Sequence, residues 1–466
     1  MNLRPYQQNA VNSIRETFLS GINKLILCSP TGSGKTVIFS FITKSTQDKG
    51  NRILIITDRI ELLTQSGGTV NKLGIDFGYL SAKTKIVPKE SVVISMIETL
   101  NNRIKKPEYK DFIQSFDLIV IDECHKRNFD KLWPVLKPTQ RIIGATATPI
   151  RQGVKNQLKD YYQKIIDVCQ IPELIADGYL VPAISYGEKV DLSNIKLKGG
   201  EYDENQLTEM YKHKYESVII NYKKYSQDKK TLIFCASVKN SQDLCDIFHS
   251  SGFNSKHIDA TSKDRSEILT WFKKTDNAIL CNVGILTTGF DEPSIQTVIL
   301  YRATTSMALF LQMCGRGSRL FDNKTHFTIL DFGNNILNHG FWEQPRKWSL
   351  ELEKKKKGPS ETRAKECPKC GALLSVATKV CQYCGYIYPI PKKQEIEMIL
   401  EKLTYKEIES IESIPELEKI REFKGYKQGW ILRKFKTPEQ FIEYGKLKKY
   451  HYKWAEHKYN YYNNEN

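Results

Sequence analysis

The sequence predicts an α/β protein: two doubly wound parallel-sheet domains in tandem, then a small cysteine module and a helical C-terminal region. Three observations carry that prediction. From Lys24 to Phe332, short β-branched runs alternate with amphipathic stretches of helix length, the pattern of repeated βαβ units with a buried parallel sheet. The runs fall into two series, so there are two sheets. Beyond Trp348 the alternation stops, and two close pairs of cysteines follow.

The first series places strands at Leu25 to Cys28, Arg52 to Thr57, Val92 to Ser95, Asp117 to Asp122 and Arg141 to Thr146. Each leads into a turn or polar cluster where a ligand can sit, beyond the carboxyl ends of the strands. The second series is Thr231 to Cys235, Ser255 to Asp259, Ala278 to Asn282, Thr297 to Tyr301 and Thr325 to Asp331. Between them Ile171 to Pro182 reads as a last helix and exit turn, and Asp191 to Asn205 as an exposed connection. A chain of 466 residues is too long for one core. The expected division is a first domain over 1–182, a second over 183–350, a charged linker over 351–362, a cysteine module over 363–390 and a basic, aromatic helical region over 391–466.

Composition narrows the class. Hydrophobic residues at 40% and charged residues at 26% are ordinary for a globular protein. No apolar stretch approaches the ~20 residues a bilayer demands, so no membrane partner is expected. The opening MNLRPYQQNAVNSIRE has no apolar segment behind a basic one, which points to a cytoplasmic location, in a bacterium or a phage-infected host cell. A net charge of +17 with a pI near 9.1 favours a polyanionic partner, although a well-solvated basic protein has the same balance. Of the 11 cysteines, seven (Cys28, Cys124, Cys169, Cys235, Cys245, Cys281 and Cys314) are scattered singly, as expected of reduced thiols filling a core.

The segment LILCSPTGSGKTVIF sets Thr31, Gly32, Ser33, Gly34, Lys35 and Thr36 at a strand-to-helix turn. Glycines let backbone N–H groups close around phosphate oxygens, the helix N-terminus adds its dipole, Lys35 reaches the β/γ-phosphates and Thr36 ligates Mg²⁺. Ser29 stands where the strict pattern has its first glycine. A second segment, DLIVIDECH, ends a strand with Asp122 and Glu123. One carboxylate can hold hydrated magnesium while the next orients or deprotonates the attacking water.

This second segment resembles the DExH box of superfamily 2 helicases and translocases, and the resemblance extends over about three quarters of the chain. It implies RecA-like domains, ATP and Mg²⁺ as substrate and cofactor, and a nucleic-acid track. RPYQ (Arg4 to Gln7) resembles the Q motif, in which Gln7 would read adenine and Arg4 would join the nucleotide site. TDRIELLTQ (Thr57 to Gln65) resembles motif Ia, with Thr57-Asp58 departing from the commoner Pro-Thr, and SMIETLNNR (Ser95 to Arg103) resembles motif Ib. The resemblance gives Arg59 and Thr99 to the nucleic acid, and makes Thr146 and Thr148 of GATATP coupling residues. In the second domain LIFCASV (Leu232 to Val238) is similar to motif IV and NVGILTTGFDEP (Asn282 to Pro293) to motif V, which offers Thr287 to nucleic acid and Gly289 and Asp291 to the nucleotide. QMCGRGSR (Gln312 to Arg319) is similar to motif VI, with Gln312 in coupling.

Arg316 and Arg319 are the expected arginine fingers, worth roughly 10³ to 10⁵ in rate, and reach the γ-phosphate only when the domains close. Gly315 and Gly317 are expected to leave them on a bare, flexible turn. Lys35, Glu123, Arg316 and Arg319 thus form the catalytic set.

ECPKCGALLSVATKVCQYCGY supplies Cys367, Cys370, Cys381 and Cys384 as two Cys-x-x-Cys knuckles, the ligand set of a closed structural Zn²⁺ site. In the tail, KGYKQGWILRKF (Lys424 to Phe435) and GKLKKYHYKWAEHKYNYY (Gly445 to Tyr462) interleave aromatics with Lys and Arg. That composition suits stacking on unpaired bases, and it equally suits a helical core face with a solvated basic side. Zinc module and tail together resemble the RadD-like DNA repair helicases. That resemblance implies DNA, single-stranded or branched, rather than RNA, and a place for single-strand-binding or repair proteins as partners. The alternatives are an RNA helicase of the DEAD-box kind, against which DECH and the missing His-Arg start of motif VI both speak, and an ATP-regulated binding or docking module.

Overall fold

A computed structural model describes residues 3–58, 74–84, 86–151, 156–287, 289–351, 364–388, 413–424, 426–451 and 453–463. The chain divides into two compact units, residues 1–377 and 378–466.

The first sheet holds β1 (Lys24–Cys28), β2 (Ile53–Thr57), β3 (Gly78–Leu80), β4 (Val92–Met96), β5 (Leu118–Asp122), β6 (Arg141–Thr146) and β7 (Lys164–Asp167) in the order β3-β4-β2-β5-β6-β1-β7. All of its pairings are parallel. Side chains alternate between its two faces with period two. Leu25, Leu27, Ile53 and Ile55 pack on Val11, Ile14, Ile38 and Phe39 of helices Pro5–Leu19 and Lys35–Gln47. Ile26, Leu54, Ile56 and Ile119 pack on Ile97, Leu100, Phe112 and Ile113 on the other side. Covering both faces is why the strands read as continuous apolar runs.

The second sheet follows the same logic. It contains β8 (Ala183–Gly187), then, after a ribbon of β9 (Leu197–Lys198) and β10 (Glu201–Tyr202), β11 (Thr231–Cys235), β12 (Ser255–Ile258), β13 (Ile279–Asn282), β14 (Thr297–Tyr301) and β15 (Phe327–Asp331). Its order is β12-β13-β11-β14-β15-β8, again all parallel. Leu232, Phe234 and Leu300 meet Phe310, Phe272 and Trp342 on one face, while Ile233, Cys235 and Tyr301 meet Tyr211, Tyr222 and Phe248 on the other. All seven scattered cysteines are buried and unbridged.

Within the two large sheets three strands go beyond the sequence reading: β3, β7 and β8, each at the edge of its sheet. The connection from Asp191 to Asn205 is exposed over most of its length, as expected, and it is also anchored at Glu201. The Glu201 carboxylate accepts from Thr304 Oγ1 at 2.6 Å and Thr305 N at 2.8 Å. The expected linker, 351–362, falls almost wholly outside the described residues, as do 391–412 of the C-terminal region.

After the antiparallel pair β16 (Ala364–Glu366) and β17 (Leu373–Ser375), the C-terminal unit contains helices Ile414–Lys424, Gln428–Leu432, Pro438–Leu447 and Lys453–Asn463. Leu417, Ile431, Leu432, Phe435, Phe441, Tyr444 and Ala455 form its core. Glu418 is buried there and accepts from Arg421 Nε and Nη2, both at 2.7 Å, Tyr444 Oη at 2.9 Å and Lys448 Nζ at 2.6 Å. Among the described residues, no helix is long and apolar enough to cross a membrane.

Candidate active site

The phosphate loop runs from the end of β1 to helix Lys35–Gln47. Gly32 and Gly34 have φ of +91° and +80°, the left-handed region that only glycine enters cheaply. Side chains also crowd both positions: a Cβ at Gly34 would lie 2.7 Å from Gln7 Nε2, and one at Gly32 2.9 Å from a Leu180 methyl, so either neighbour would have to shift. Ser29 is buried with its hydroxyl 2.5 Å from that of Ser33, so the departure from glycine is absorbed by a hydrogen bond. Lys35 lies across the loop and donates to Ser29 O at 3.0 Å. Thr31 and Thr36 are half-buried on either side of it.

The RPYQ segment is fastened to this loop. Tyr6 Oη and Gln7 Nε2 both donate to Ser33 O, at 2.7 and 2.9 Å, while Gln7 Oε1 accepts from Arg4 N at 3.0 Å. The Arg4 guanidinium sits 4.1 Å from the centre of the Tyr179 ring. Gln7 is thus buried with both ends of its amide engaged by the protein.

Asp122 and Glu123 end β5, both buried, and Glu123 turns at φ +51°, unusual for a residue with a Cβ. Burial, and then the charge of Glu123, push the Asp122 carboxyl up to about 7, with Lys35 pulling the other way. Burial alone would raise Glu123 too. His125, Lys35, Lys126 and Arg316 outweigh it and hold that carboxyl below its ordinary value. Glu123 Oε2 is buried and makes no hydrogen bond, with His125 Nδ1 3.4 Å away. Two adjacent buried carboxylates beside Lys35, one with an unsatisfied oxygen, fit a divalent cation and a phosphate-bound water.

The turn after Glu123 is held by a residue that the sequence reading passed over. Arg151 donates to the carbonyls of Cys124 (3.1 Å), His125 (2.9 Å) and Lys126 (2.9 Å), and also to Asp130 Oδ1 (2.7 Å) and Asn156 O (2.9 Å). All five guanidinium N–H groups are used, on a residue just past GATATP that carries no signal in a single sequence beyond its place. Thr146 is wholly buried with Oγ1 2.8 Å from His125 Nδ1, and it accepts from Thr148 N at 3.0 Å. The Thr57-Asp58 departure in motif Ia also has a use, since Asp58 pairs with Lys126.

The second lobe supplies the facing wall. Gln312 and Arg316 are buried, and Arg316 donates to the motif V carbonyls of Phe290 and, at 2.9 Å, Thr287. Arg319 Nη1 lies 2.7 Å from Asp291 Oδ1, and its buried Nε has no hydrogen-bond partner. A Cβ at Gly32 would lie 3.7 Å from that Nε, and one at Gly315 would lie 3.0 Å from Thr31 Cβ. Motif VI is therefore seated on the phosphate loop. The glycines beside the arginines answer packing rather than flexibility: a Cβ at Gly317 would come within 2.3 Å of the Phe327 ring. The turn is neither bare nor loose. Gly289, at φ +75°, precedes the Phe290 carbonyl that holds Arg316.

Of the three candidates for nucleic-acid contact, Thr99 and Thr287 are buried, at 6% and 3% exposure, and Arg59 lies outside the described residues.

The sulfurs of Cys367, Cys370, Cys381 and Cys384 all lie within 4.8 Å of one another. Tetrahedral thiolates bonded to zinc at about 2.3 Å stand roughly 3.8 Å apart, so this cluster is of the right size. The two knuckles are twins: Gly371 N donates to Cys367 O (2.8 Å) and Gly385 N to Cys381 O (2.9 Å), with φ of +78° and +71° at the glycines.

A phosphate loop, a paired-carboxylate strand end and a second parallel-sheet lobe facing both define a two-lobed nucleoside triphosphatase. Residues 1–151 match the family described as type III restriction enzyme, res subunit, and residues 213–320 match the helicase conserved C-terminal domain. A 51.5 kDa protein of a Lactococcus phage (isolate 7-9) is 30% identical over 380 residues, 79% of each chain. IRC3 of Saccharomyces cerevisiae, a candidate ATP-dependent helicase by its name, is 29% identical over 356 residues, 71% of this chain but 51% of its own length, so this chain spans about half of it. A solved fragment of a candidate HsdR subunit of a type I restriction enzyme from Vibrio vulnificus shares the fold, with a TM-score of 0.59 at 24% identity over 73% of this chain and 67% of that one. The chain belongs to superfamily 2 of the helicases and translocases, ATP-hydrolysing enzymes.

Proposed function

We propose that this chain is a DNA-directed motor of the RadD-like kind, which couples ATP hydrolysis between its lobes to movement along single-stranded or branched DNA, in repair, recombination or replication. The observation that carries the reading is the placement of Arg319, with an unpartnered buried Nε, against Gly32 of the phosphate loop on the other lobe. An orphaned guanidinium N–H at that spot costs free energy unless an anion meets it, and the γ-phosphate is the anion that the loop is built to hold. Lys35, Thr31, Gly32, Ser33 and Gly34 bind the phosphates, Glu123 orients and deprotonates the attacking water, and Arg316 and Arg319 offset the charge that grows on the transferred group. Arg4 and Gln7 set the loop at the adenine end, while Gly289 and Asp291 border the nucleotide from the second lobe, Asp291 also pairing with Arg319. Thr36 and Asp122 would hold Mg²⁺, which would neutralise charge on the phosphates during transfer. Thr146, Thr148 and Gln312 pass the state of the cleft to the track, which Arg59, Thr99 and Thr287 grip through phosphates once the lobes have moved.

What supports DNA over RNA is the restriction-enzyme description of the family matching the first lobe, together with the DECH box and the absence of a His-Arg start in motif VI. The Cys367, Cys370, Cys381 and Cys384 cluster takes Zn²⁺ as a structural ion, since a segment this short buries too little surface to fold alone. The phage relative supports an address in the cytoplasm of a bacterium or an infected host, and single-strand-binding or repair proteins are the partners that fit such a motor. Steady-state ATP turnover with single-stranded, branched and duplex DNA and with RNA tests the assignment. Stimulation is expected to be greatest with single-stranded or branched DNA, and equal or greater stimulation by RNA would refute it. Strand binding without stimulated turnover would mark a docking module instead.

A further inference from the structure

The C-terminal unit carries more aromatic rings than its core consumes. Phe435, Phe441 and Tyr444 are buried and close that core. Tyr426, Trp430 and Trp454 are half-buried, and Tyr450 is exposed. These four form two pairs, Tyr426 with Trp430 and Tyr450 with Trp454, each with ring centroids 4.7 Å apart and tilted by 38° and 45°. Gln428 Nε2 donates to Tyr450 Oη at 3.0 Å and so ties the pairs into one ridge. Cations border it: Lys434 Nζ lies 5.1 Å from the Trp430 ring centre, and Lys427 and Lys449 are exposed beside Gln428 and Tyr450. From Tyr426 to Asn463 the chain has nine Lys and Arg against three Glu, a surplus that a polyphosphate would neutralise.

We propose that this ridge is a binding site for an unpaired nucleic-acid strand, carried by the C-terminal unit itself. A core-forming helix face accounts for the three buried rings and for the inner sides of Trp430 and Trp454, which pack against that core, but leaves Tyr426, Tyr450 and the outer sides of the two tryptophans unexplained. Half-exposed rings with cations beside them fit bases, because every base offers a π-face and its phosphate follows within a lysine's reach. An acidic protein segment would satisfy the charge but not the paired rings. The inference does not depend on which track the motor follows.

The test uses the full chain without nucleotide and a fluorescein-labelled oligothymidine, read by anisotropy. Tyr450→Ala is expected to weaken binding about tenfold, the loss of one stacked base. Lys427→Glu with Lys449→Glu should make the dependence of affinity on salt shallower. Thermal unfolding near that of the parent certifies the fold of each variant, and the lysine pair stands alone if Tyr450→Ala misfolds. Lys35→Ala should bind as the parent does, which separates this site from the motor's hydrolytic cycle. Parental affinity and salt dependence in both ridge variants would overturn the proposal, as would displacement of the oligonucleotide by polyglutamate as readily as by unlabelled strand.

Discussion

The two walls of the nucleotide cleft differ at their outer edge, although Arg316 of the second lobe is held, like the first wall, by buried bonds to backbone carbonyls. On the first lobe, Ser33 O, the Arg151 clamp and the Thr146–His125 contact hold loop and carboxylates through buried hydrogen bonds, mostly to backbone carbonyls. On the second lobe, the outer arginine is held by a charge pair with Asp291, itself half exposed. Buried backbone-directed bonds have one arrangement and break at a cost of ~1 to 3 kcal/mol each, whereas an exposed pair is worth ~0 to 1 kcal/mol and can re-form elsewhere. The contrast suits the proposed division of labour, in which one wall binds and orients and the other changes partner as the lobes open and close.

The sharpest way to break the comparison is at Lys35. Lys35→Ala should abolish nucleic-acid-stimulated ATP hydrolysis while strand binding persists, and steady-state turnover near that of the parent would undo the first wall's assignment. Arg151→Lys asks whether the clamp merely stabilises. Lysine keeps the charge but has three donors and no fork, so most of the five bonds go. If the clamp positions Glu123, kcat should fall about tenfold to a hundredfold with KM little changed, since small misplacement of a catalytic group costs that much. A fall in unfolding temperature with kcat intact would reduce Arg151 to a structural role.

Much of this was readable beforehand, for a physical reason. Strands buried on both faces, such as β1, β2 and β5, are continuous apolar runs, and their ends fix where Lys35, Asp122 and Glu123 stand. Three of the four edge strands, β3, β7 and β8, were missed because an edge has one neighbour and tolerates polar residues: β7 reads Lys-Ile-Ile-Asp, with Ile166 alone buried. Arg151 was missed because four of its five partners are backbone carbonyls, which leave no mark in a sequence. The glycines of motif VI were legible as glycines, but whether they served looseness or contact depended on Thr31 and Phe327, which are remote in the chain. In the tail, sequence could not separate stacking from core; packing divides them, with Tyr444 inside and Tyr450 out.

Two weaker effects sharpen the contrast away from the cleft. Removing zinc with a strong chelator should unfold the cysteine knuckles, seen as loss of structure together with stoichiometric zinc release, while Lys35-dependent ATP hydrolysis falls less than in Lys35→Ala. In the C-terminal unit, burial would raise the Glu418 carboxyl, but hydrogen bonds from Arg421, Lys448 and Tyr444 bring it down to about 2. A carboxyl depressed in the folded state stabilises above its unfolded value of ~4.3, and the contribution is lost as pH falls toward 2. Thermal scans of Glu418→Gln against the parent should therefore differ at pH 7 and converge toward pH 2; an equal gap at both would show that the charge is not what matters.

The central claim is that an arginine of one lobe completes a reaction whose substrate the other lobe binds. Single-turnover hydrolysis of ATP by Arg319→Ala, with ATP affinity measured on the same protein in the presence of single-stranded DNA, addresses it directly. A rate reduced by ~10³ or more with affinity near that of the parent is the expected result. A parental rate, or a loss confined to affinity, would contradict it.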